Sequence, residues 1–508
     1  MDLDHDACYR AICARDARFD GRLFVGVTTT GIYCRPVCPA RTPKRENVIF
    51  YSSAAAAQAA GFRPCLRCRP ETAPALAAWH GTSNTVSRAL SLIEMGALDE
   101  ADVETLAGRL GVGERQLRRL FRQHLGASPI EVAQTRRVLL AKQLIHETTL
   151  PLAEVALAAG FGSIRRFNET FRQLFDRPPS ALRRAGATEL TAGPTGEVTI
   201  LLRYRPPYDW PAMLSFLRAR AIPGVEAVSG DGYARTIEIG GLHGTVLVQP
   251  APVGARARDQ GNALQATIRF PKLSALPTII ARLRRVFDLA AEPDVIGAHL
   301  AEDPLLAPLV AARPGLRLPG AWDGFELAVR AVLGQQISVT AAAGLAGKLV
   351  ARYGEPLARS RRQHTSLARD ALTHVFPRPT RLGAADLSTL GMPMRRAAAL
   401  SSLARAVAAD PEIFSAARSL DEAIVQLRTL SGVGEWTAQY IAMRELREPD
   451  AFPAADLGLM RAMSDGQGRR PTSRELLARA ERWRPWRAYA AQHLWASATP
   501  ARGVEDAA

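Results

Sequence analysis

The spacing of apolar positions changes character several times along the chain. Over residues 1–80 it is irregular, with Gly and Pro scattered among polar residues and one helical run at 53–61. Over 86–182 apolar residues recur at three- and four-residue spacing, the signature of one buried face on each of several α-helices. A Gly- and Thr-containing stretch at 186–196 loses that pattern and predicts a linker. Short apolar runs at 198–204, 234–239, 245–249 and 266–270 predict strands, and helical patterns at 210–220 and 276–288 lie among them, so an α+β unit with an antiparallel sheet is expected. From about Asp303 onward the pattern is helical again, broken at Gly and Pro. The expected architecture is multidomain, mainly α with α+β, in four units at 1–80, 85–185, 196–302 and 303–500. A length of 508 residues agrees, since roughly 150 residues per domain predicts three to four.

The second unit contains a repeat. Leu106-Ala107-x-x-Leu110-Gly111-Val112 returns as Val155-Ala156-x-x-Ala159-Gly160-Phe161, and Phe121-Arg122-Gln123 returns as Phe171-Arg172-Gln173. A small residue in a first helix, a glycine in the turn and an amphipathic second helix are what two steeply crossing helices need, so the unit reads as a doubled helix-turn-helix. Arg115, Gln116, Arg118 and Arg119 fall on the first candidate recognition helix, and Arg165, Arg166 and Asn168 on the second. A pair of purely structural αα-hairpins would share the spacing, but basic second helices point to DNA.

Charge supports a polyanionic partner. The chain has 65 basic against 49 acidic residues, a formal +16, and only Lys44, Lys142, Lys272 and Lys348 are lysines. Arginine supplies the bidentate fork that suits phosphate. A hydrophobic content of 47% excludes global disorder. Residues 1–22 hold no apolar run and no stretch approaches an uncharged membrane span, so a cytoplasmic, nucleoid-associated protein without membrane contact is expected. In that compartment thiols stay reduced, and all six cysteines lie in the first 68 residues: Cys8, Cys13, Cys34, Cys38, Cys65 and Cys68.

Cys34-x3-Cys38 and Cys65-x2-Cys68 have the spacing of a four-thiolate zinc site. Such a site is often only a clip for a unit too small to build a core. Here Arg35, Arg41, Lys44, Arg45, Arg63, Arg67 and Arg69 accompany it against Glu46 alone, and a basic collar facing phosphates is expected. Thr28-Thr-Thr-Gly-Ile-Tyr-Cys34-Arg-Pro-Val-Cys38, Arg45-Glu-Asn-Val and Gly61-Phe-Arg-Pro-Cys65-Leu-Arg-Cys68 closely resemble the N-terminal domain of the Ada methylation-response family. The resemblance implies one zinc ion held by Cys34, Cys38, Cys65 and Cys68, with Cys34 also the nucleophile that takes a methyl group from a DNA methylphosphotriester. It further implies phosphate contacts from Thr30, Arg41, Arg63 and Arg67. Residues 103–184, closing on Pro178-Pro179, resemble the AraC-type DNA-binding domain, which places its two helices in successive major grooves.

Farther on, Leu430-Ser-Gly432-Val-Gly434-Glu-Trp436-Thr437-Ala438 has glycines that would let a helix N-terminus approach a phosphate, although a plain helix-helix connection shares the pattern. Asp456 follows in Phe452-Pro-Ala-Ala-Asp456-Leu-Gly-Leu; a bland alternative is a helix N-cap. Residues 320–495, including Ala331-Val-Leu-Gly-Gln-Gln-Ile-Ser-Val339 and Glu481-Arg-Trp-Arg-Pro-Trp-Arg-Ala-Tyr489, resemble the AlkA-type DNA-3-methyladenine glycosylases II, an all-α helix-hairpin-helix domain. The α+β unit resembles that family's TBP-like antiparallel N-terminal domain. The resemblance implies Asp456 as the glycosylase carboxylate, Trp436, Tyr440 and Trp495 as the base pocket, and Gly432, Gly434 and Thr437 against DNA. Gln336 stands where the family has a leucine wedge, and Trp436 where lyase relatives carry a lysine, so a monofunctional glycosylase without a cofactor is expected. No cysteine follows Cys68, which excludes an iron-sulfur cluster and a second methyl-accepting cysteine. The implied partners are damaged and promoter double-stranded DNA and, during activation, RNA polymerase, with the protein a monomer. The rival expectation is a zinc-stabilised transcription factor whose C-terminal half is a non-catalytic DNA-binding scaffold.

Overall fold

The structure is a computed structural model, and it describes residues 4–73, 84–183, 197–252, 262–357, 371–414, 419–465 and 467–498. The linker expected at 186–196 and the unit ends expected at 80, 185, 196 and 500 lie outside the described residues. The chain divides into two compact units, Met1–Tyr204 with Glu238–Arg284, and Arg205–Ile237 with Arg285–Ala508.

The first unit opens with a helix at His5–Cys13, followed by strands β1 (Phe24–Val27), β2 (Ile32–Cys34), β3 (Val48–Tyr51) and β4 (Arg63–Pro64), in the order β3-β1-β2-β4. β1 runs antiparallel to β2 and β3, and β4 lies parallel to β2. The irregular pattern expected here is thus corrected: strands of two to four residues are too short to display alternation. Phe24, Tyr33 and Phe62 form their core with Ala54 and Ala57 of helix α1 (Ala54–Ala59), whose N-terminus is capped by Ser53 Oγ accepting from the Ala56 amide at 3.0 Å.

Helices α2 (Val103–Arg109), α3 (Glu114–Leu125), α4 (Pro129–Glu147), α5 (Leu152–Ala158) and α6 (Ile164–Phe175) follow. The internal repeat is structural. The Val112 amide donates to Ala107 O at 3.0 Å, and the Phe161 amide to Ala156 O at 3.0 Å, closing the same turn in both copies. Gly111 and Gly160 supply its positive φ of 68° and 87°. Leu117, Phe121 and Leu125 bury one face of α3, and Phe167, Phe171 and Phe175 bury one face of α6. The long helix α4 starts with a capping box between Ser128 and Glu131. Its other end reaches back to the cysteine loop. Lys142, fully buried, donates to Cys65 O at 2.9 Å and pairs with Glu71 at 2.7 Å, while Arg69 joins Glu71 to Glu147 at 3.0 and 3.1 Å.

Strands β5 (Glu197–Arg203), β6 (Glu226–Ser229), β7 (Gly232–Ile239), β8 (Leu242–Pro250) and β9 (Ala263–Arg269) come next, with helices α7 (Trp210–Arg220) and α8 (Leu276–Val286). The first unit contains β9 antiparallel to both β5 and β8. There Leu201 of β5 donates its amide to Glu147 Oε2 at 3.1 Å and accepts from Gln143 Nε2 at 2.9 Å, so α4 side chains complete the strand's backbone bonding. The second unit contains the antiparallel β6–β7 hairpin; β6, four residues with one buried side chain, carries too little pattern to be expected from sequence.

The described rest of the second unit is mainly helical, with one short antiparallel pair, Glu355–Pro356 with His374–Val375. α9 (Gly324–Leu333), α10 (Val339–Tyr353), α11 (Met394–Ala409), α12 (Leu420–Arg428), α13 (Glu435–Arg444), α14 (Leu457–Ala462) and α15 (Arg487–Ala498) are its main elements. α9 is buried on almost every side. Its Glu326 pairs with Arg235 at 2.6 Å and Arg330 at 2.8 Å, so the buried charges neutralise one another. Among the described residues no helix is long and apolar enough to cross a membrane.

Candidate functional site

Two constellations stand out, one in each unit. In the first, the parallel pairing of β2 with β4 sets Tyr33 beside Pro64, and the Cys65 amide donates to Tyr33 O at 3.0 Å. Cys34 and Cys65, each the next residue along, are therefore delivered side by side. Cys38 follows in a turn closed by its amide on Arg35 O at 3.1 Å. The four sulfurs lie within 4.8 Å of one another. A tetrahedral site with bonds of about 2.3 Å needs sulfurs roughly 3.8 Å apart, so the four cysteines fit one zinc ion. Amides of Arg35 and Arg67 point at Cys68 and Cys65 Sγ at 3.4 and 3.3 Å, which favours thiolate there. Cys65 and Cys68 are buried, whereas Cys34 and Cys38 are partly open to solvent.

The expected basic collar is thinner than its composition. Arg35 is folded inward onto Asp20, Thr72 and Cys68 O, and Arg69 is buried against Glu71 and Glu147. Arg45 pairs with Asp6 and Lys44 with Glu46. Arg41 and Arg67 are exposed and Arg63 half-buried, and among the described residues none of the three pairs with a carboxylate. Thr30 is exposed on the β1–β2 turn, where the Arg63 amide reaches Gly31 O at 2.8 Å. On the doubled helix-turn-helix, Arg115, Gln116, Arg118 and Arg119 are exposed on α3, and Arg165 and Arg166 on α6 beside half-buried Asn168. Glu114 and Glu169 pair with Arg118 and Arg165 across one helical turn, holding both arginines in exposed, easily broken contacts.

In the second unit, Leu430–Gly434 joins α12 to α13. Gly432 has φ of +80°, and a Cβ there would sit 2.8 Å from Ala399 Cβ. Gly434 caps α13 with ordinary backbone angles, and a Cβ there would meet nothing within 4 Å. The fold thus demands glycine at the first position and leaves open space at the second. Thr437, expected at the DNA surface, is 2% exposed instead, its hydroxyl 3.2 Å from Gln335 Nε2. The same amide group donates to Gly432 O at 2.8 Å, tying the α9–α10 loop to the hairpin. The next residue, Gln336, is exposed at that loop's tip with φ of +60°. Nothing in the residue pattern singled out Gln335.

Asp456 is a helix N-cap that also meets two indoles. Its Oδ1 caps α14 by accepting from the Leu459 amide at 3.0 Å. The same oxygen accepts from Trp495 Nε1 at 2.8 Å, and Oδ2 accepts from Trp436 Nε1 at 2.8 Å. Gly458 makes room for this: a Cβ there would lie 2.9 Å from Asp456 Oδ1 and 3.2 Å from the Trp495 ring. Trp436 and Tyr440 stack on each other, centroids 5.3 Å apart, and form one two-ring wall. The arrangement provides a carboxylate held by three neutral donors, next to aromatic rings and a glycine hairpin.

Four family profiles match the chain: the metal binding domain of Ada at 7–71, a helix-turn-helix domain at 106–185, the AlkA N-terminal domain at 199–323, and the HhH-GPD superfamily of base excision DNA repair proteins at 329–488. A probable bifunctional transcriptional activator/DNA repair enzyme AlkA of Mycobacterium tuberculosis is 42% identical over 497 residues, 97% of each chain. DNA-3-methyladenine glycosylase 2 of Escherichia coli is 36% identical over 58% of this chain and 95% of its own. The bifunctional transcriptional activator/DNA repair enzyme Ada of Escherichia coli is 40% identical over 25% of this chain and 34% of its own. With the cysteine cluster, the doubled helix-turn-helix and the hairpin-flanked Asp456 in place, this chain belongs to the family of bifunctional transcriptional activators and DNA repair enzymes that join an Ada-type metal-binding half to an AlkA-type glycosylase half.

Proposed function

We propose that the chain repairs and senses DNA alkylation with two separate chemistries, in four domains at 1–80, 85–185, 196–302 and 303–500. In the first, Cys34 accepts a methyl group from a DNA methylphosphotriester. Cys34 and Cys38 are partly exposed whereas Cys65 and Cys68 are buried, which supports the first pair, and the resemblance to the family motif favours Cys34 of the two. Zinc held by the four cysteines would keep the thiols deprotonated. The Cys34 sulfur forms a bond to the methyl carbon as the methyl–oxygen bond breaks, and its electron pair leaves an ordinary anionic phosphodiester. The sulfur becomes a thioether, so each chain reacts once. A dianionic thiolate cluster repels normal phosphates but not the neutral triester, and after transfer one negative charge is gone. Thr30, Arg41, Arg63 and Arg67 then grip the backbone, α3 and α6 read promoter DNA, and RNA polymerase is recruited by a monomer on the nucleoid.

In the second chemistry, Asp456 stabilises the positive charge that develops on the sugar as an alkylated base such as 3-methyladenine departs, and orients the attacking water. The observation that carries this reading is the carboxylate's three neutral donors with no paired cation among the described residues: its negative charge is undiminished and aimed. Gly432 and Gly434 hold the phosphate, Gln336 fills the vacated duplex position, and Trp436, Tyr440 and Trp495 wall the flipped base. No lysine follows Lys348, so no amine in the hairpin region forms a Schiff base with the sugar, and no cofactor is needed. The test is release of 3-methyladenine from methylated duplex DNA by the purified protein, with strand scission followed on the same samples. Base release leaving uncut abasic DNA is expected. Binding without release would return the C-terminal half to a scaffold.

A further inference from the structure

Trp436, Tyr440 and Arg444 follow one another at four-residue spacing on α13 and so share one helix face. Arg444 is 2% exposed. Its guanidinium carbon lies 4.8 Å from the Tyr440 ring centre, 5.5 Å from Trp495 and 4.5 Å from Phe216. It donates to Pro319 O at 2.7 Å and Gln492 Oε1 at 3.3 Å, while Nε is buried without a partner. Among the described residues no carboxylate pairs with it. Of the other buried arginines of this unit, Arg235 pairs with Glu326 and Arg205 with Glu292, while Arg317, like Arg444, meets carbonyl oxygens and a ring face, that of Tyr208; Arg444 differs in lying against two rings of the proposed base pocket. A buried cation without a counterion is costly, and ring faces offset only part of that cost. Burial draws Arg444 down to about 10, which leaves it charged at neutral pH.

The chemistry next to it explains why a charge belongs there. When an N-glycosidic bond breaks, its electron pair goes to the base: a cationic alkylpurine leaves neutral, a neutral base leaves as an anion, and positive charge appears on the sugar beside Asp456. A fixed cation on the base side favours that electron flow in both cases. It also disfavours the bound ground state of a cationic base, because that charge is lost only as the bond breaks. We infer that Arg444 is a positioning residue for glycosidic cleavage, acting through Tyr440 and Trp495 as a fixed positive charge behind the base, and that it sets how the pocket ranks cationic against neutral bases. This rests on the roles proposed above for Asp456 and the three rings.

At an effective dielectric near 20, a unit charge behind an aromatic ring changes rates by about 10-fold or more. The full-length protein and Arg444→Met, Arg444→Lys and Asp456→Asn variants are compared in single turnovers on duplexes carrying 7-methylguanine, which is cationic, or hypoxanthine, which is neutral. Arg444→Met should lower the saturating rate on both about 10-fold, and lower the half-saturating protein concentration for the 7-methylguanine duplex alone. Arg444→Lys should keep the wild-type split. Equal weakening of binding to both duplexes, or a lysine variant as impaired as the methionine one, would mean that Arg444 only packs. Should Arg444→Met fail to fold, wild-type protein is titrated with a cleavage-resistant 2′-fluoro 7-methylguanine duplex and its neutral 7-deaza counterpart. Tighter binding of the neutral duplex supports the inference, and tighter binding of the cationic one overturns it. Undiminished base release by Asp456→Asn would instead overturn the site assignment itself, whatever the Arg444 variants do.

Discussion

Asp456 accepts hydrogen bonds from two indoles and a backbone amide, and these three donors fix the direction in which its carboxylate points. Asp456→Asn keeps the size and a competent N-cap but removes the charge and turns one acceptor into a donor facing an indole N–H. The single-turnover rate of base release should fall at least about 100-fold, while thermal unfolding and methyl uptake by the first unit stay near wild type. Cys34→Ala should abolish that uptake and leave base release unchanged; peptide mass spectrometry of the wild type should find the methyl group on Cys34, and an adduct on Cys38 would reassign the nucleophile. Zinc content is measured on the same samples, since a lost ligand weakens the metal site. Asp456 was legible because it follows a glycine hairpin at a recognisable spacing. Gly458 was not: a glycine two residues further on carries no signal until Trp495 is seen to need its space.

At the scale of elements, the two glycines of the hairpin separate folding from binding. Gly432→Ala puts a side chain on a left-handed residue 2.8 Å from Ala399 and should destabilise the protein by about 1–3 kcal/mol. Gly434→Ala meets no neighbour, so thermal unfolding should not change, whereas affinity for abasic-site DNA should drop if a phosphate occupies that space. Loss of stability without loss of affinity at position 434 would remove the hairpin from the DNA interface. The longer helical elements were visible in sequence because helices such as α3 and α4, of twelve and nineteen residues, contain enough turns to show a period. The strands around the cysteines were not, since β1 to β4 span two to four residues each and their core is made by Phe24, Tyr33 and Phe62 from separate segments.

Across the whole molecule, charge placement links distant parts of the chain. Lys142 and Glu71, both essentially without solvent contact, join α4 to the cysteine loop. Lys142→Met leaves Glu71 with Arg69 alone and should cost about 3–5 kcal/mol, read as a fall in thermal stability with earlier zinc release on heating. Methylation at Cys34 should raise promoter affinity most at low ionic strength, with the gain shrinking as salt is added; an equal gain at every salt concentration would rule out charge as the switch. The sequence by itself determined what is local: the cysteine spacing, the doubled helix-turn-helix, the glycine hairpin and the helical periods, because chain connectivity confines residues so few positions apart to a few geometries. Only the tertiary structure decided which arginines remain available to DNA, which are paired with Asp20 or Glu147, how Trp495 reaches Asp456, and that Arg444 has rings instead of a carboxylate. Burial and ion pairing depend on which distant segments meet, and no local pattern of apolar and polar positions encodes that meeting.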